Sequence, residues 1–180
     1  DHLYSLEDLL NKFDSSNNIP VIHDYYSSKD HKILFQRPVL PHPSLTKLCG
    51  KPAVQCVRIC TVLDPSDQPH ILFCFLKVVA GNNFLDNFDR GERGNLLAFI
   101  DLQNGEISRV IGRTPEHKIS KSFAHHPDTG INFIGFQLPY WEETCNLAKK
   151  TAIQFAPLAA VGWDIAITPT GPVSIEGNTA

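Results

Sequence analysis

Two runs near the end of the chain, Val161–Thr168 and Pro172–Gly177, are separated only by Pro169, Thr170 and Gly171. Alternating apolar runs with Pro and Gly between them read as a β-hairpin. A hairpin is restrictive because its loop length fixes which residues face each other. With a three-residue loop, Thr168 faces Pro172, and the same register sets Asp164 directly opposite Glu176. Asn178 lies two residues further on and therefore on the same face. Trp163, Ile165, Ile167, Val173 and Ile175 fall on the other face, which reads as a core face.

Opposed carboxylates of this kind have Cβ atoms roughly 5 Å apart and are destabilising unless something neutralises them. Two carboxylates and an amide carbonyl are hard oxygen donors, suited to Mg²⁺, which takes one or two protein carboxylates and leaves its other positions to water and phosphates. The two acids stand beside the small neighbours Gly162, Ala166 and Ser174, which a merely solvated face does not explain. The competing account is that Asp164 and Glu176 are solvated residues on an exposed sheet. Pattern alone leaves both open.

The rest of the chain repeats the hairpin theme. Val54–Leu63 and Ile71–Val79 flank the turn residues Asp64–Pro69, and Leu96–Leu102 and Ile107–Ile111 flank Gln103-Asn104-Gly105. The polar stretch Gly81–Asn95 is too long for a tight turn and reads as a surface loop with functional potential. Leu6, Leu9, Leu10 and Phe13 predict a short amphipathic helix over Ser5–Phe13. A second is predicted over Ser44–Cys49, closed by Gly50. A third begins near Pro139 and stops at Pro157, with Trp141, Thr144, Ala148, Thr151, Ala152 and Phe155 along one face. Strands in hairpins outnumber helices, so the expected class is α+β, an antiparallel sheet with helices packed on it.

Composition removes several alternatives. Lys plus Arg total 16 against 19 for Asp plus Glu, which gives no electrostatic footing for sequence-independent nucleic-acid binding. No apolar stretch approaches the roughly 20 residues of a membrane span, and no signal peptide opens the chain. The five cysteines form no CxxC, and several sit in apolar runs, as reduced cysteines of a cytoplasmic protein do. At 180 residues the chain suits one domain, or at most two small ones. It has no methionine and begins with Asp1, so the expectation is a piece of something longer.

The hairpin Val161-Gly162-Trp163-Asp164-Ile165-Ala166-Ile167-Thr168, then Gly171-Pro172-Val173-Ser174-Ile175-Glu176-Gly177-Asn178, resembles the C-terminal active-site hairpin of ATP-grasp proteins. Its likeness is to the sugar-transfer-associated branch. Leu34-Phe35-Gln36-Arg37, His42-Pro43, Val57-Arg58-Ile59-Cys60-Thr61, Asp86-Asn87-Phe88, His126-Pro127-Asp128-Thr129-Gly130 and Leu138-Pro139-Tyr140-Trp141 resemble that branch in matching order. The resemblance covers Ile33 to Ala180 and implies an ATP-grasp-like C-terminal lobe, with 1–180 a partial domain lacking its start and end.

The resemblance also implies roles. Asp164, Glu176 and Asn178 would hold Mg²⁺ (or Mn²⁺) bridging ATP phosphates, and Phe35, Gln36 and Arg37 would contact adenine. An edge-strand Gln36 bonded to water is the competing account. Arg58 is a charge inside an apolar strand, which is costly unless paired. ATP phosphates or a transferring acyl phosphate are its preferred partners, as a catalytic residue, with an ion pair to Asp164 as the alternative. Asn87 would face the phosphates. Arg90 and Arg93 read as solvated charges, and His125 and His126 as loop anchors rather than metal ligands. No strand lysine with a Gly-rich loop precedes Gln36.

The implied activity is an ATP- and Mg-dependent carboxylate–amine or carboxylate–thiol ligase working through an acyl phosphate, linked to polysaccharide or cell-surface polymer synthesis. Its partners would be ATP, a carboxylate and a nucleophile, in the cytoplasm, and the fragment alone is expected to be inactive. The alternative is a non-catalytic domain that binds nucleotide or a partner. A kinase-type phosphotransferase is a third, weaker reading.

Overall fold

The chain divides into two units, Asp1–Arg37 and Pro38–Ala180. The computed structural model describes residues 38–114 and 117–179, all in the second unit. The expected helix over Ser5–Phe13 and the expected adenine contacts Phe35, Gln36 and Arg37 lie outside the described residues.

Within the second unit the elements run α1 (Pro43–Cys49), β1 (Cys56–Leu63), β2 (Pro69–Val78), β3 (Leu96–Ile100), β4 (Ile107–Thr114), β5 (His117–Ser122), α2 (Trp141–Gln154), β6 (Ala160–Thr168) and β7 (Gly171–Asn178). The seven strands form one sheet in the order β5-β4-β3-β2-β1-β6-β7, antiparallel at every pairing. This is the α+β architecture expected from the hairpin pattern. It places β1 and β6, which carry Arg58 and Asp164, side by side in the sheet interior.

Period-two alternation divides the sheet into two unlike faces. Val57 and Ile59 of β1, Leu76 and Val78 of β2, and Trp163, Ile165 and Ile167 of β6 are buried together. Leu45 and Leu48 of α1 and Trp141, Ala148 and Ala152 of α2 pack onto the same core. Helix α1 ends as its sequence predicts, on Gly50 at φ 75, where the Gly50 N–H donates to Thr46 O. Helix α2 starts later than Pro139, at Trp141, with Tyr140 at φ 52 before it. Phe155, expected on its buried face, follows the last turn and is exposed, tilted against Trp163 at 5.5 Å between ring centroids.

The last hairpin departs from expectation in an instructive way. Its loop is Pro169 and Thr170 alone, and Thr168 pairs with Gly171 rather than Pro172. That one-residue shift would place Asp164 opposite Ile175, but the register shifts again between Asp164 and Ile165. The bulge cancels the shorter loop, and Asp164 pairs with Glu176 as expected. Between loop and bulge the faces of β7 are exchanged, because a one-residue slip moves every side chain to the opposite side. Val173 therefore sits opposite Ala166 on the carboxylate face, and Ser174 opposite Ile165 on the other. Val173 and Ile175 are 41% and 46% exposed and are not core residues. The strand β5 was not anticipated: His117-Lys118-Ile119-Ser120-Lys121-Ser122 has a single apolar residue to mark it.

Candidate functional site

Strand pairing builds a continuous row across the sheet face opposite the helices. Glu176 pairs with Asp164, Asp164 with Arg58, Arg58 with Phe75, Phe75 with Phe99, and Phe99 with Arg109. Directly paired residues share a face, so these six side chains leave the sheet on one side. Arg109 closes the row as a cation over the Phe99 ring, 4.6 Å from its centroid.

The centre of the row is an ionic cluster. Arg58 grips Asp164 with two parallel bonds, Nε to Oδ1 at 2.5 Å and a terminal nitrogen to Oδ2 at 2.7 Å. Lys77, two residues along β2 from Phe75, donates from Nζ to Asp164 Oδ2 at 3.0 Å. The same Nζ lies 3.3 Å from Asp86 Oδ1, and Asp86 Oδ2 accepts the Cys56 N–H at 2.7 Å. Four charges thus alternate as Asp86, Lys77, Asp164, Arg58. Asp164 is only 3% exposed at its side chain and Lys77 9%, whereas Arg58 keeps 26%.

Their titration follows from this geometry. Burial pushes the Asp164 carboxyl upward, but hydrogen bonds from Arg58 and Lys77 outweigh it and hold the group below its ordinary value. The bond to Asp164 raises the Arg58 guanidinium further. Burial alone would lower Lys77, yet Asp86 and Asp164 carry it above its usual value. Burial pushes the neighbouring Cys56 thiol far up, so it stays protonated and inert.

Gly162 and Gly177 make the arrangement fit. A Cβ on Gly162 would lie 3.0 Å from Arg58 Cδ, so the bare glycine is what lets the arginine stem cross β6 toward Asp164. A Cβ on Gly177 would lie 2.6 Å from the Trp163 ring, which explains a glycine between Glu176 and Asn178.

Beside the cluster is a cleft of about 470 Å³, lined by Arg58, Phe75, Lys77 and Leu97 from the sheet and by Asn87, Phe88, Asp89 and Arg93 from the loop after β2. That loop owes its shape to Asn95, which is fully buried. Asn95 Oδ1 accepts the Ala80 N–H at 3.1 Å, and its Nδ2 donates to Leu85 O and Asn87 O at 2.7 and 2.9 Å. The loop's root is tied by His126, whose Nε2 bonds Val79 O at 2.9 Å while Nδ1 accepts the Asp128 N–H at 3.2 Å. These partners make His126 a neutral loop anchor, as its sequence context suggests. Arg93 pairs with Asp89 at 3.3 Å on the exposed rim.

A family model described as sugar-transfer associated ATP-grasp matches residues 11–180. The chain belongs to the sugar-transfer associated ATP-grasp family. No curated protein and no solved structure matches it.

Membership gives the cluster its context, since ATP-grasp proteins bind ATP and Mg²⁺, and the donor set can be tested against that. Glu176 makes no ion pair among the described residues; its side chain accepts one hydrogen bond, from Asn178 Nδ2 at 3.2 Å. With the amide nitrogen so engaged, Asn178 has its carbonyl oxygen left as a donor to a cation. A carboxylate outside any direct ion pair, beside an amide oxygen and opposite a second carboxylate, fits a divalent cation. Asp164 would join only by sharing oxygens now bonded to Arg58 and Lys77.

The structure therefore brings Arg58, Asp164, Glu176 and Asn178 to one side of the sheet and sets Asn87 on the cleft wall. For Arg58 the ion pair with Asp164 is formed, and the side chain also lines the cleft. Lys77 and Asp86 are the members that sequence reasoning missed. Lys77 was detectable: it is the lone charge in the apolar run Ile71–Val79, the argument that singled out Arg58. Asp86 had no such mark, because it sits in a polar loop and its partners, Lys77 and Cys56, come from two different strands.

Proposed function

We propose that the protein is an ATP- and Mg-dependent ligase that joins a carboxylate to an amine or a thiol through an acyl phosphate, in polysaccharide or cell-surface polymer synthesis. The observation that carries the reading is a cation-rich cleft wall, Arg58 and Lys77, adjoining the Asp164–Glu176 carboxylate pair. The γ-phosphoryl group of ATP passes to a carboxylate oxygen as ADP leaves, and the nucleophile then attacks the acyl carbon and expels phosphate. Magnesium, held on Glu176 and Asn178 with Asp164, would supply charge neutralisation of the phosphates. Arg58 offers N–H donors to oxygens that gain charge during transfer. Lys77, anchored between Asp86 and Asp164, raises the local positive potential without leaving its place. Phe75, Phe88 and Leu97 line the cleft with apolar surface that excludes water from the reacting groups. Five unpaired cysteines suit a reducing, cytoplasmic setting. No helix among the described residues is long and apolar enough to cross a membrane.

Calorimetric titration of the full chain with Mg-ATP tests the metal assignment. Wild type is expected to bind, and Glu176→Ala to bind at least tenfold more weakly. Equal binding by the two would remove Glu176 from the site. In the full-length protein, nucleotide binding with no ADP or phosphate release, over a panel of carboxylates and amines, would favour a non-catalytic nucleotide-binding domain.

A further inference from the structure

Arg58 makes a direct ion pair with one carboxylate among the described residues, Asp164, with Glu176 adding a longer-range attraction, whereas Lys77 makes direct ion pairs with two, Asp164 and Asp86. Arg58 is also the more exposed cation and lines the cleft. Across Asp86, Asp164, Glu176, Arg58 and Lys77, three negative groups face two positive ones. A divalent cation held by Asp164 and Glu176 would reverse that balance.

On these grounds, and resting on the metal reading above, we propose that Arg58 is an exchangeable counter-ion. Without a divalent cation it neutralises Asp164. When the cation binds, Asp164 turns from guanidinium to cation and Arg58 is released toward the cleft, where an anion can take both of its donors. Lys77 stays behind because Asp86 still holds it. The glycine at 162 makes the movement feasible, since the arginine stem crosses it with no side chain in the way. The device couples two sites by charge: the cation strengthens binding of the anion, and by thermodynamic reciprocity the anion strengthens binding of the cation. It also guards against futile chemistry, because the anion-binding donors become available only once the cation is present.

The test is direct and needs no turnover. In the full wild-type chain the Arg58 Nε–H resonance, assigned by its loss in Arg58→Lys, is followed while magnesium chloride is added without nucleotide. Before magnesium the signal is expected to be protected from solvent exchange by its bond to Asp164. Saturating magnesium should shift it and remove the protection, while the backbone amides of Glu176 and Asn178 move with the same midpoint. Protection that persists while those amides shift would overturn the exchange and leave the metal site standing. Amides that do not move would overturn both. A second arm measures manganese binding by the resonance of free Mn²⁺. Arg58→Ala removes the competitor for Asp164 and should bind Mn²⁺ roughly tenfold more tightly, a difference of about 1.4 kcal/mol. Arg58→Lys, which keeps charge but loses the two-point grip, should fall between. Unchanged or weaker Mn²⁺ binding in Arg58→Ala, with thermal unfolding still cooperative, would overturn the proposal.

Discussion

The two faces of this sheet are made by the same strands, one residue apart. Val57, Ile59, Leu76, Val78, Trp163 and Ile165 face the helices; Arg58, Lys77 and Asp164 stand between them in sequence and leave the opposite face, where Arg58 and Lys77 line the cleft. The apolar face draws its stability from area removed from water, about 25 cal/mol per Å², and tolerates small changes of shape. The ionic face obeys a different rule. Burying charges roughly cancels their attraction, so the intact cluster adds little net stability, yet removing one member strands the others. A fold can therefore carry a binding site at low cost on the reverse of its own core, provided every charge keeps its partner.

Substitutions at adjacent positions of β6 break this comparison most directly. Asp164→Ala leaves Arg58 without its carboxylate and Lys77 with only Asp86, and should cost about 3–5 kcal/mol. Ile165→Val, next along the strand and fully buried, should cost only about 0.5–1.5 kcal/mol. Urea denaturation of both variants decides the matter. An Asp164→Ala cost no larger than that of Ile165→Val would mean the charged face follows the same rule as the core.

Acid sharpens the contrast at a smaller scale. The folded Asp164 carboxyl is held below its ordinary value, so its contribution is present above the unfolded value of about 3.9 and is lost as pH falls through the folded one. The stability gap between wild type and Asp164→Asn should be full near pH 5 and close as pH falls below about 4. Two other groups titrate in the same direction. Asp64, in the exposed β1–β2 turn, is held low by hydrogen bonds from the Gln68 backbone, His70 and the Ser66 backbone. Burial holds His126 below its usual value, so its effect begins higher, as pH falls below about 6.5. Both are unchanged in Asp164→Asn and cancel in the difference. Denaturation midpoints between pH 6 and pH 2.5 check this, and a gap that stays constant would remove the Arg58 and Lys77 bonds as its source.

How much of this was legible beforehand depended on range. The hairpins were readable because strand period and turn residues are local signals, and the α+β class followed from their number. The pairing of Asp164 with Glu176 was also predicted, though through a loop that is one residue shorter than expected and a bulge that offsets it. Nothing in Pro169-Thr170-Gly171 distinguishes the two loops, and Val173 and Ser174 were assigned to the wrong faces as a result. Arg58 and Lys77 both announce themselves as charges in apolar strands. For Arg58 the pairing with Asp164 was among the two accounts the sequence offered, although 106 residues separate them; that Lys77 reaches the same carboxylate, 87 residues away, was not readable. Asp86 acts from a loop whose course is dictated by Asn95, a residue that looks in sequence like one more polar loop position.

The smallest expected effect isolates the point where the two faces depend on each other. Gly162 lies on the ionic side of β6, and its missing side chain is what Arg58 crosses on the way to Asp164. An alanine there would bring its Cβ to 3.0 Å from Arg58 Cδ, so the arginine must lift and loosen its two-point grip. Taken alone, replacing glycine in a strand interior should help by roughly 0.5–1 kcal/mol, because glycine loses more backbone freedom on folding. In the wild-type background Gly162→Ala should instead cost about 1 kcal/mol, typical of a mutation that disturbs a buried ionic contact. In an Arg58→Ala background the clash is gone and the same substitution should be neutral or stabilising, giving an interaction energy of roughly 1–2 kcal/mol in the double-mutant cycle. If Gly162→Ala costs the same in both backgrounds, the glycine answers to the strand itself and not to the arginine that lies over it.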